Sequence, residues 1–255
     1  MTDIRELILY RNFENGKVLE DMTWIMEHFN QKECTEEVRD RFFSCMHELI
    51  ELAAQYGFEQ NLWQTYLTFL LVNNENSFST ACEIRGISDC SLLNLARHDF
   101  AIFRELFAYD FTDLERTLQA GFFEELLRYR REETSGKLFN HRIRDRICSL
   151  SKELAAADTL EGFTESMVEF YREFGVGTLG LHKAFRVAHD ESGVRIEPIT
   201  NIRHVNLEDL VGYEIAKQKL IDNTEAFVQG RRANNCLLFG DAGTGKSSSI
   251  KAILN

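Results

Sequence analysis

The residues with the clearest chemical role form one glycine-rich run near the end of the chain. The run reads Gly240-Asp241-Ala242-Gly243-Thr244-Gly245-Lys246-Ser247 and matches the phosphate-binding pattern G-x-x-x-x-G-K-[ST] at every defined position. Glycines allow a backbone to wrap closely around a phosphate tail, with several N–H groups pointing into one concavity. We expect the Lys246 ammonium to contact the β- and γ-phosphates and the Ser247 hydroxyl to bind Mg²⁺. The pattern therefore predicts a site for ATP and Mg²⁺.

The residues on either side of this run supply the structural context that the pattern requires. Asn235-Cys236-Leu237-Leu238-Phe239 precedes it and is long enough for a buried strand but too short for a helix. A helical pattern follows, so the positive end of a helix that begins near Gly245 points toward the phosphates. We include Ser248 among the expected nucleotide contacts and assign Lys246 as the expected catalytic residue.

The segment upstream of the loop resembles the start of an AAA+ ATPase module. It comprises Leu207-Glu208-Asp209-Leu210-Val211-Gly212, a helix that carries Lys217, and then the apolar run and the loop. In that family the segment that matches Asp209 to Gly212 lies against the adenine. The resemblance therefore implies nucleotide contacts by Val211 and Gly212. The structural alternative is that Asp209 caps a helix and Gly212 permits a tight turn.

Three further runs are similar to an uncharacterised bacterial family of AAA+ ATPases, a domain of unknown function. They are Phe170 to Gly177, Lys183-Ala184-Phe185-Arg186 and Asn223-Thr224-Glu225-Ala226-Phe227. The specific similarity covers roughly residues 165–255. It implies a long helical region and a hairpin ahead of the ATPase core. Because the domain has no settled function within the family, the similarity does not imply one for this chain.

The sequence ends eight residues after Ser247. The resemblance places a second acidic motif, a polar sensor, an arginine finger and a helical lid beyond that point. Phosphoryl transfer depends on such groups for positioning and for charge stabilisation. We therefore expect the 255-residue chain alone to be inactive as an ATPase, whereas the full-length form hydrolyses ATP.

Hydrophobic periodicity predicts a mainly α-helical region over residues 1–178. The expected apolar stripes begin with Ile4, Leu7, Ile8 and Phe13, and continue in a helix from the N-cap Thr35 to Gly57. Further helices are expected at 60–73, 78–85, 89–108, 111–119, 121–132, 137–156 and 160–174. The apolar window from Leu62 to Val72 is too short to span a membrane and predicts a core helix.

Two short alternating runs follow the helical region, and they predict a β-hairpin with Pro198 at its outer end. The expected domains are therefore an acidic all-helical domain at 1–178, a hairpin connector at 179–203, and the opening part of an α/β AAA+ P-loop NTPase domain at 204–255. We expect that last part to run helix, strand, phosphate loop, helix. Without partner strands, the run Cys236 to Phe239 would leave apolar edges open.

The net charge of −12 lies in the front half of the chain. Residues 1–133 carry 13 lysines and arginines against 25 aspartates and glutamates, whereas residues 134–255 carry 16 of each class. An acidic surface repels phosphate backbones, so nucleic-acid binding by the front half is disfavoured. The six cysteines have no zinc-type spacing and are expected to be buried free thiols. No signal-peptide or membrane-spanning pattern occurs, and a cytoplasmic location is expected.

The leading hypothesis is an AAA+ protein that binds ATP or ADP and engages a protein partner through its acidic helical region. The full-length form would couple ATP hydrolysis to macromolecular remodelling, as a homo-oligomeric ring. The alternative is a non-enzymatic helical interaction domain with a vestigial nucleotide loop. A third reading, an ATPase resembling helicase loaders, is disfavoured by the charge of the front half.

Overall fold

The structure divides into two compact units, residues 1–182 and 183–255. It is a computed structural model that describes residues 3–29, 35–85, 87, 90–119, 121, 123–130, 141–177, 185–190, 193–199 and 205–253. Several expected features lie outside the described residues: Cys34, residues 131, 132 and 137–140 of two expected helices, and residues 183 and 184 of the expected first strand.

The first unit is mainly helical, as the periodicity predicted. Its described α-helices are α1 (Lys17–His28), α2 (Glu36–Tyr56), α3 (Leu62–Asn73), α4 (Ser77–Arg85), α5 (Ser91–Phe107), α6 (Thr112–Leu118), α7 (Phe123–Leu127), α8 (His141–Ala156) and α9 (Leu160–Phe174).

Local capping signals account for the bounds of the best-defined helices. The Thr35 hydroxyl accepts a hydrogen bond from the Val38 N–H at the start of α2, and Gly57 ends the same helix with φ of +76°. At the start of α9, the Thr159 hydroxyl accepts a hydrogen bond from the Gly162 N–H. The bounds predicted for these two helices are confirmed.

Helix α3 is the core helix of the first unit, as its apolar run predicted. All its residues from Leu62 to Val72 are buried except Gln64, so the helix is enclosed on nearly every side. It packs against α2, α5, α7 and α8, while α9 packs against α4, α5 and α8. No helix in the described ranges is long and apolar enough to cross a bilayer.

The expected first helical stripe is wrong, because a distant carboxylate holds this part of the chain in another conformation. Only Ile4–Glu6 forms a short 3₁₀ helix. The Asp99 side chain of α5 accepts hydrogen bonds from the N–H groups of Ile8, Leu9 and Tyr10, at 2.9, 2.7 and 3.0 Å. These N–H groups are therefore not available to an α-helical ladder.

The second unit contains the hairpin and two helices. Strands β1 (Phe185–Asp190) and β2 (Gly193–Pro198) pair antiparallel, with Phe185 opposite Pro198 at the outer end. A 3₁₀ turn (Leu207–Asp209) then precedes α10 (Glu214–Val228), and α11 (Lys246–Ala252) follows the glycine-rich loop. The predicted hairpin, including the place of its proline, is confirmed.

The strand expected at Cys236 to Phe239 is not formed in the described structure. The segment has no sheet partner, and Leu237 and Phe239 are 86% and 88% exposed. A strand is defined by backbone pairing, so an apolar run without a partner does not form one. Among the described residues of the second unit, the only buried apolar side chains are Ala226 and Ala252.

Candidate functional site

The glycine-rich loop has a backbone conformation that depends on its glycines. Gly240, Gly243 and Gly245 have φ of +142°, +82° and +79°. Residues that have a Cβ rarely adopt these φ values. Because these positions are glycines, the backbone of the loop can curve here at little steric cost. The curve joins the segment that ends at Phe239 to helix α11, for which Gly245 is the N-cap.

Lys246 closes this curved loop with its side chain. Its Nζ donates hydrogen bonds to the carbonyl oxygens of Gly240 at 2.8 Å and Asp241 at 2.6 Å, and it lies 3.3 Å from the Thr244 Oγ1. Thr244 in turn donates from its hydroxyl to the Asp241 carbonyl at 2.8 Å. The ammonium is thus held at the centre of the loop, where an anion would meet a fixed positive charge.

The two serines that follow the lysine lie in the first turn of α11. Ser247 is exposed and Ser248 is half-buried, while Asp241 and Ala242 are exposed on the loop. A serine hydroxyl is a suitable oxygen ligand for Mg²⁺, which takes few protein ligands when it also binds phosphates. Among the described residues there is no cluster of three or more His, Cys, Asp or Glu that could hold a metal ion alone. The Ser247 hydroxyl would be one of the oxygen ligands of Mg²⁺, beside phosphate oxygens and waters.

The structure brings the upstream segment next to the loop. A Cβ on Gly245 would lie 4.0 Å from the Leu210 Cδ2, in ordinary van der Waals contact. The next two residues are the predicted nucleotide contacts: Val211 is 94% exposed, and Gly212 has φ of +88°. Gly212 therefore permits a turn here, as the structural alternative requires, and of this segment Leu210 lies next to Gly245.

Asp209 takes part in a cap, but it does not cap the following helix, as the structural alternative expected. Its carboxylate accepts a hydrogen bond from the Asn206 N–H at 2.9 Å, and this pair forms a capping box for the short 3₁₀ turn. The cap belongs to this turn and not to helix α10, which begins at Glu214 after Tyr213.

Lys217 fixes the position of this turn. Its Nζ donates to the Leu210 carbonyl at 2.7 Å and forms an ion pair with Glu214 at 2.8 Å, and the lysine side chain is only 14% exposed. The helix α10 thus holds the carbonyl of the residue that contacts Gly245. The sequence alone does not indicate this role of Lys217.

Asn223 ties the same helix to the segment that leads into the loop. Its Nδ2 donates to the Asn234 carbonyl at 2.8 Å, and its Oδ1 accepts from the Asn234 N–H at 2.9 Å. This two-bond bridge fixes the start of the apolar run relative to α10. The residue lies in a run quoted for the family resemblance, but the side-chain bridge itself could not be read from the sequence.

The comparisons with known proteins concern this second unit. A family described as "Protein of unknown function (DUF815)" matches residues 180–255. The match spans the hairpin, helix α10, the loop and helix α11. Neither the comparison with curated proteins nor the one with solved structures gives a match. The segment is thus similar to an uncharacterised family, as its motifs predicted.

Proposed function

We propose that the second unit binds ATP with Mg²⁺ at the loop Gly240 to Ser247. The observation that carries the proposal is the position of Lys246, whose Nζ is held on the carbonyls of Gly240 and Asp241 at the centre of the curved loop. A lysine fixed in this way presents a point charge to phosphates, and the loop around it has the required glycine spacing. Ser247 supplies the expected hydroxyl for Mg²⁺.

We further propose that the protein is of the AAA+ ATPase class. Support comes from the order of elements, in which α10, an apolar run, the loop and α11 follow one another, with Leu210 next to Gly245. Lys246, which would touch the phosphates, is the proposed catalytic residue of this chain. The proposal includes the coupling of ATP hydrolysis to remodelling of a macromolecule, and assembly into a ring.

A titration with Mg-ATP tests the nucleotide site. We expect the wild-type 255-residue chain to bind Mg-ATP in isothermal titration calorimetry, and Lys246→Ala to weaken binding at least ten-fold because the charge at the centre of the loop is lost. Lys251→Ala is the matched control, since it removes an exposed lysine from the same helix. Equal affinity of the wild type and Lys246→Ala would contradict the proposal.

The alternative function, a non-enzymatic interaction domain, is favoured by one feature of the first unit. This unit has an extensive apolar core of its own, built from residues between Leu7 and Val176. Together with the acidic excess of the front half, it offers a stable, negatively charged surface for a protein partner. If Mg-ATP fails to bind, the helical unit becomes the functional part and the loop is vestigial.

A further inference from the structure

A groove in the first unit contains a half-buried arginine with an unpaired nitrogen. The groove lies between α5 and α9 and has a volume of about 450 Å³, which is within the range of small-ligand sites. Arg97 of α5 lines it, and the Nε of this arginine is buried without a hydrogen-bond partner. Among the described residues it is the only buried side-chain nitrogen or oxygen of which this is true. A buried donor without an acceptor costs free energy, so this arginine indicates a missing anionic partner.

Three aliphatic side chains give the same groove an apolar part. Ile87, Leu93 and Val168 line it and pack, half-buried, against the core of the unit. Each of them keeps some accessible apolar area that a ligand can cover. Leu93 and Arg97 are four residues apart on α5, so they lie on one face of the helix. A ligand for this site therefore needs an aliphatic group close to an anionic one.

Helix α9 contributes a stripe of charged side chains to the groove. Glu161, Glu165 and Glu169 follow one another at intervals of four residues, and all three are exposed. Glu169 forms an ion pair with Arg172 at 3.1 Å. In the described part of the chain, no ion pair includes Arg97, Glu161 or Glu165. The groove thus offers one cation and two carboxylates that a ligand can still neutralise.

We propose that this groove binds a short aliphatic peptide with free termini, about two or three residues long. The Arg97 guanidinium donates hydrogen bonds to the C-terminal carboxylate, while the N-terminal ammonium lies near Glu161 and Glu165. The aliphatic side chains of the peptide cover those that line the groove. A zwitterion meets charges of both signs here, whereas a purely cationic ligand would leave Arg97 unpaired.

A titration with L-leucyl-L-leucine tests the site on the complete 255-residue chain. We expect this dipeptide to shift the backbone amide signals of residues 93–97 and 161–172 in NMR spectra of the isotope-labelled protein. Two modified probes separate the charges of the ligand. The C-terminal amide of the dipeptide lacks the carboxylate, and we expect its Kd to be about ten-fold higher. The N-acetyl form lacks the ammonium and is also expected to bind more weakly than the dipeptide.

Substitution of Arg97 identifies the residue that binds the carboxylate. Arg97→Gln is expected to preserve the fold, because the Nε has no hydrogen bond to lose. We expect this variant to bind the dipeptide about ten-fold more weakly than the wild type, and to bind the dipeptide and its amide equally. Arg128→Gln is the matched control, since it removes an exposed arginine of the same unit that does not line the groove. Glu165→Gln should reduce the difference between the dipeptide and its N-acetyl form.

Two results would overturn the inference. One is the absence of amide shifts in α5 and α9 at a large excess of the dipeptide. The other is an Arg97→Gln variant that still prefers the dipeptide over its amide by the wild-type factor. The titrations contain no nucleotide, so their outcome is independent of the proposed function. A chain that binds the dipeptide but not Mg-ATP would support this inference while the nucleotide site fails.

Discussion

Asp99 illustrates how one buried charge can determine the path of a distant segment. Its side chain is completely buried, and its two oxygens accept hydrogen bonds from three successive backbone N–H groups, those of Ile8, Leu9 and Tyr10. A carboxylate bound by several N–H donors forms strong, charge-assisted hydrogen bonds. The segment before α1 is therefore fixed by this residue, which lies 91 positions away from Ile8.

We predict that Asp99→Asn lowers the free energy of unfolding by about 2 kcal/mol. The amide has the size of the carboxylate, but it lacks the charge and its NH₂ group faces donors that need an acceptor. Urea denaturation followed by circular dichroism measures the change. Asp158→Asn, at an exposed aspartate, is the control and should change stability little. An unchanged midpoint for Asp99→Asn would show that the carboxylate does not hold the segment.

The buried thiols and phenols are expected to lower the free energy of unfolding at alkaline pH. Burial raises the pKa of Cys45 to about 12 and that of Cys82 to about 11. Burial also raises the pKa of Tyr10, Tyr66 and Tyr171 above the usual value for tyrosine. The folded state therefore keeps protons that the unfolded chain loses, and stability falls as the pH rises above about 9.

We expect the free energy of unfolding to be lower at pH 10 than at pH 7.5, by about 1 kcal/mol for each of the two buried thiols. Urea denaturation at the two pH values measures the difference. Cys45→Ala should reduce the difference, whereas Cys236→Ala should leave it unchanged because Cys236 is exposed. The exposure of Cys236 corrects the expectation that the cysteines are uniformly buried. Equal stability at both pH values would contradict the argument.

At the scale of elements, the second unit is expected to be the less resistant part of the chain. Eleven of the fifteen large apolar side chains that are exposed in the described residues lie between Val187 and Ile250. Elements with few buried contacts open more readily than those packed in a core. The segment before the loop, with Leu237 and Phe239 exposed, is the clearest case.

We predict that limited proteolysis of the native chain cuts within residues 205–240 well before it cuts α3, α5 or α9. Chymotrypsin is a suitable protease, since it cleaves after exposed aromatic and leucine residues of this segment. Mass spectrometry of the first fragments gives the positions of the cuts. A second unit that resists the protease as long as the first unit does would refute the prediction.

The elements also show what the sequence could predict and what it could not. Helix α2 was predictable because its signals, Thr35 and Gly57, are local and act through neighbouring residues. The helix predicted from the stripe Ile4 to Phe13 is wrong, because the Asp99 side chain of α5 accepts hydrogen bonds from the backbone of this segment. No local sequence pattern indicates such a distant contact. The strand predicted at Cys236 to Phe239 is not formed, because an apolar run becomes a strand only where it pairs with a partner strand.

In the candidate site, too, features set by local sequence were predictable and features set by distant contacts were not. The loop was predictable since its spacing of Gly240, Gly245, Lys246 and Ser247 is itself the chemical requirement. The hydrogen bonds of Lys217 to the Leu210 carbonyl and of Asn223 to Asn234 depend on the path of α10, so sequence alone could not assign them. The positive φ of Tyr213 is likewise a property of the folded turn, because tyrosine is not a residue that predicts it.

At the scale of the whole molecule, chemistry and charge are divided between the two units. The first unit contains the large apolar core, and most of its length belongs to the acidic front half of the chain. The second unit carries the proposed nucleotide loop and lies entirely within the half that has no net charge. An anionic ligand therefore meets less electrostatic repulsion at the second unit, which agrees with the proposed site.

The first unit also has surface depressions that could compete for a ligand. One is a groove of about 450 Å³ lined by α5 and α9, with Leu93, Val168 and Glu165 among its residues. Its wall includes three glutamates and two arginines, Arg97 and Arg172, so it offers a triphosphate no excess of positive charge. We therefore expect the nucleotide to bind to the second unit and not to this groove.

Amide hydrogen exchange with and without saturating Mg-ATP tests this central claim most directly. We predict slower exchange in peptides that cover residues 240–249 and 210–217, and unchanged exchange throughout residues 3–177. Lys246→Ala should abolish the protection at the same nucleotide concentration. Unchanged exchange at the loop, or protection confined to the first unit, would contradict the account.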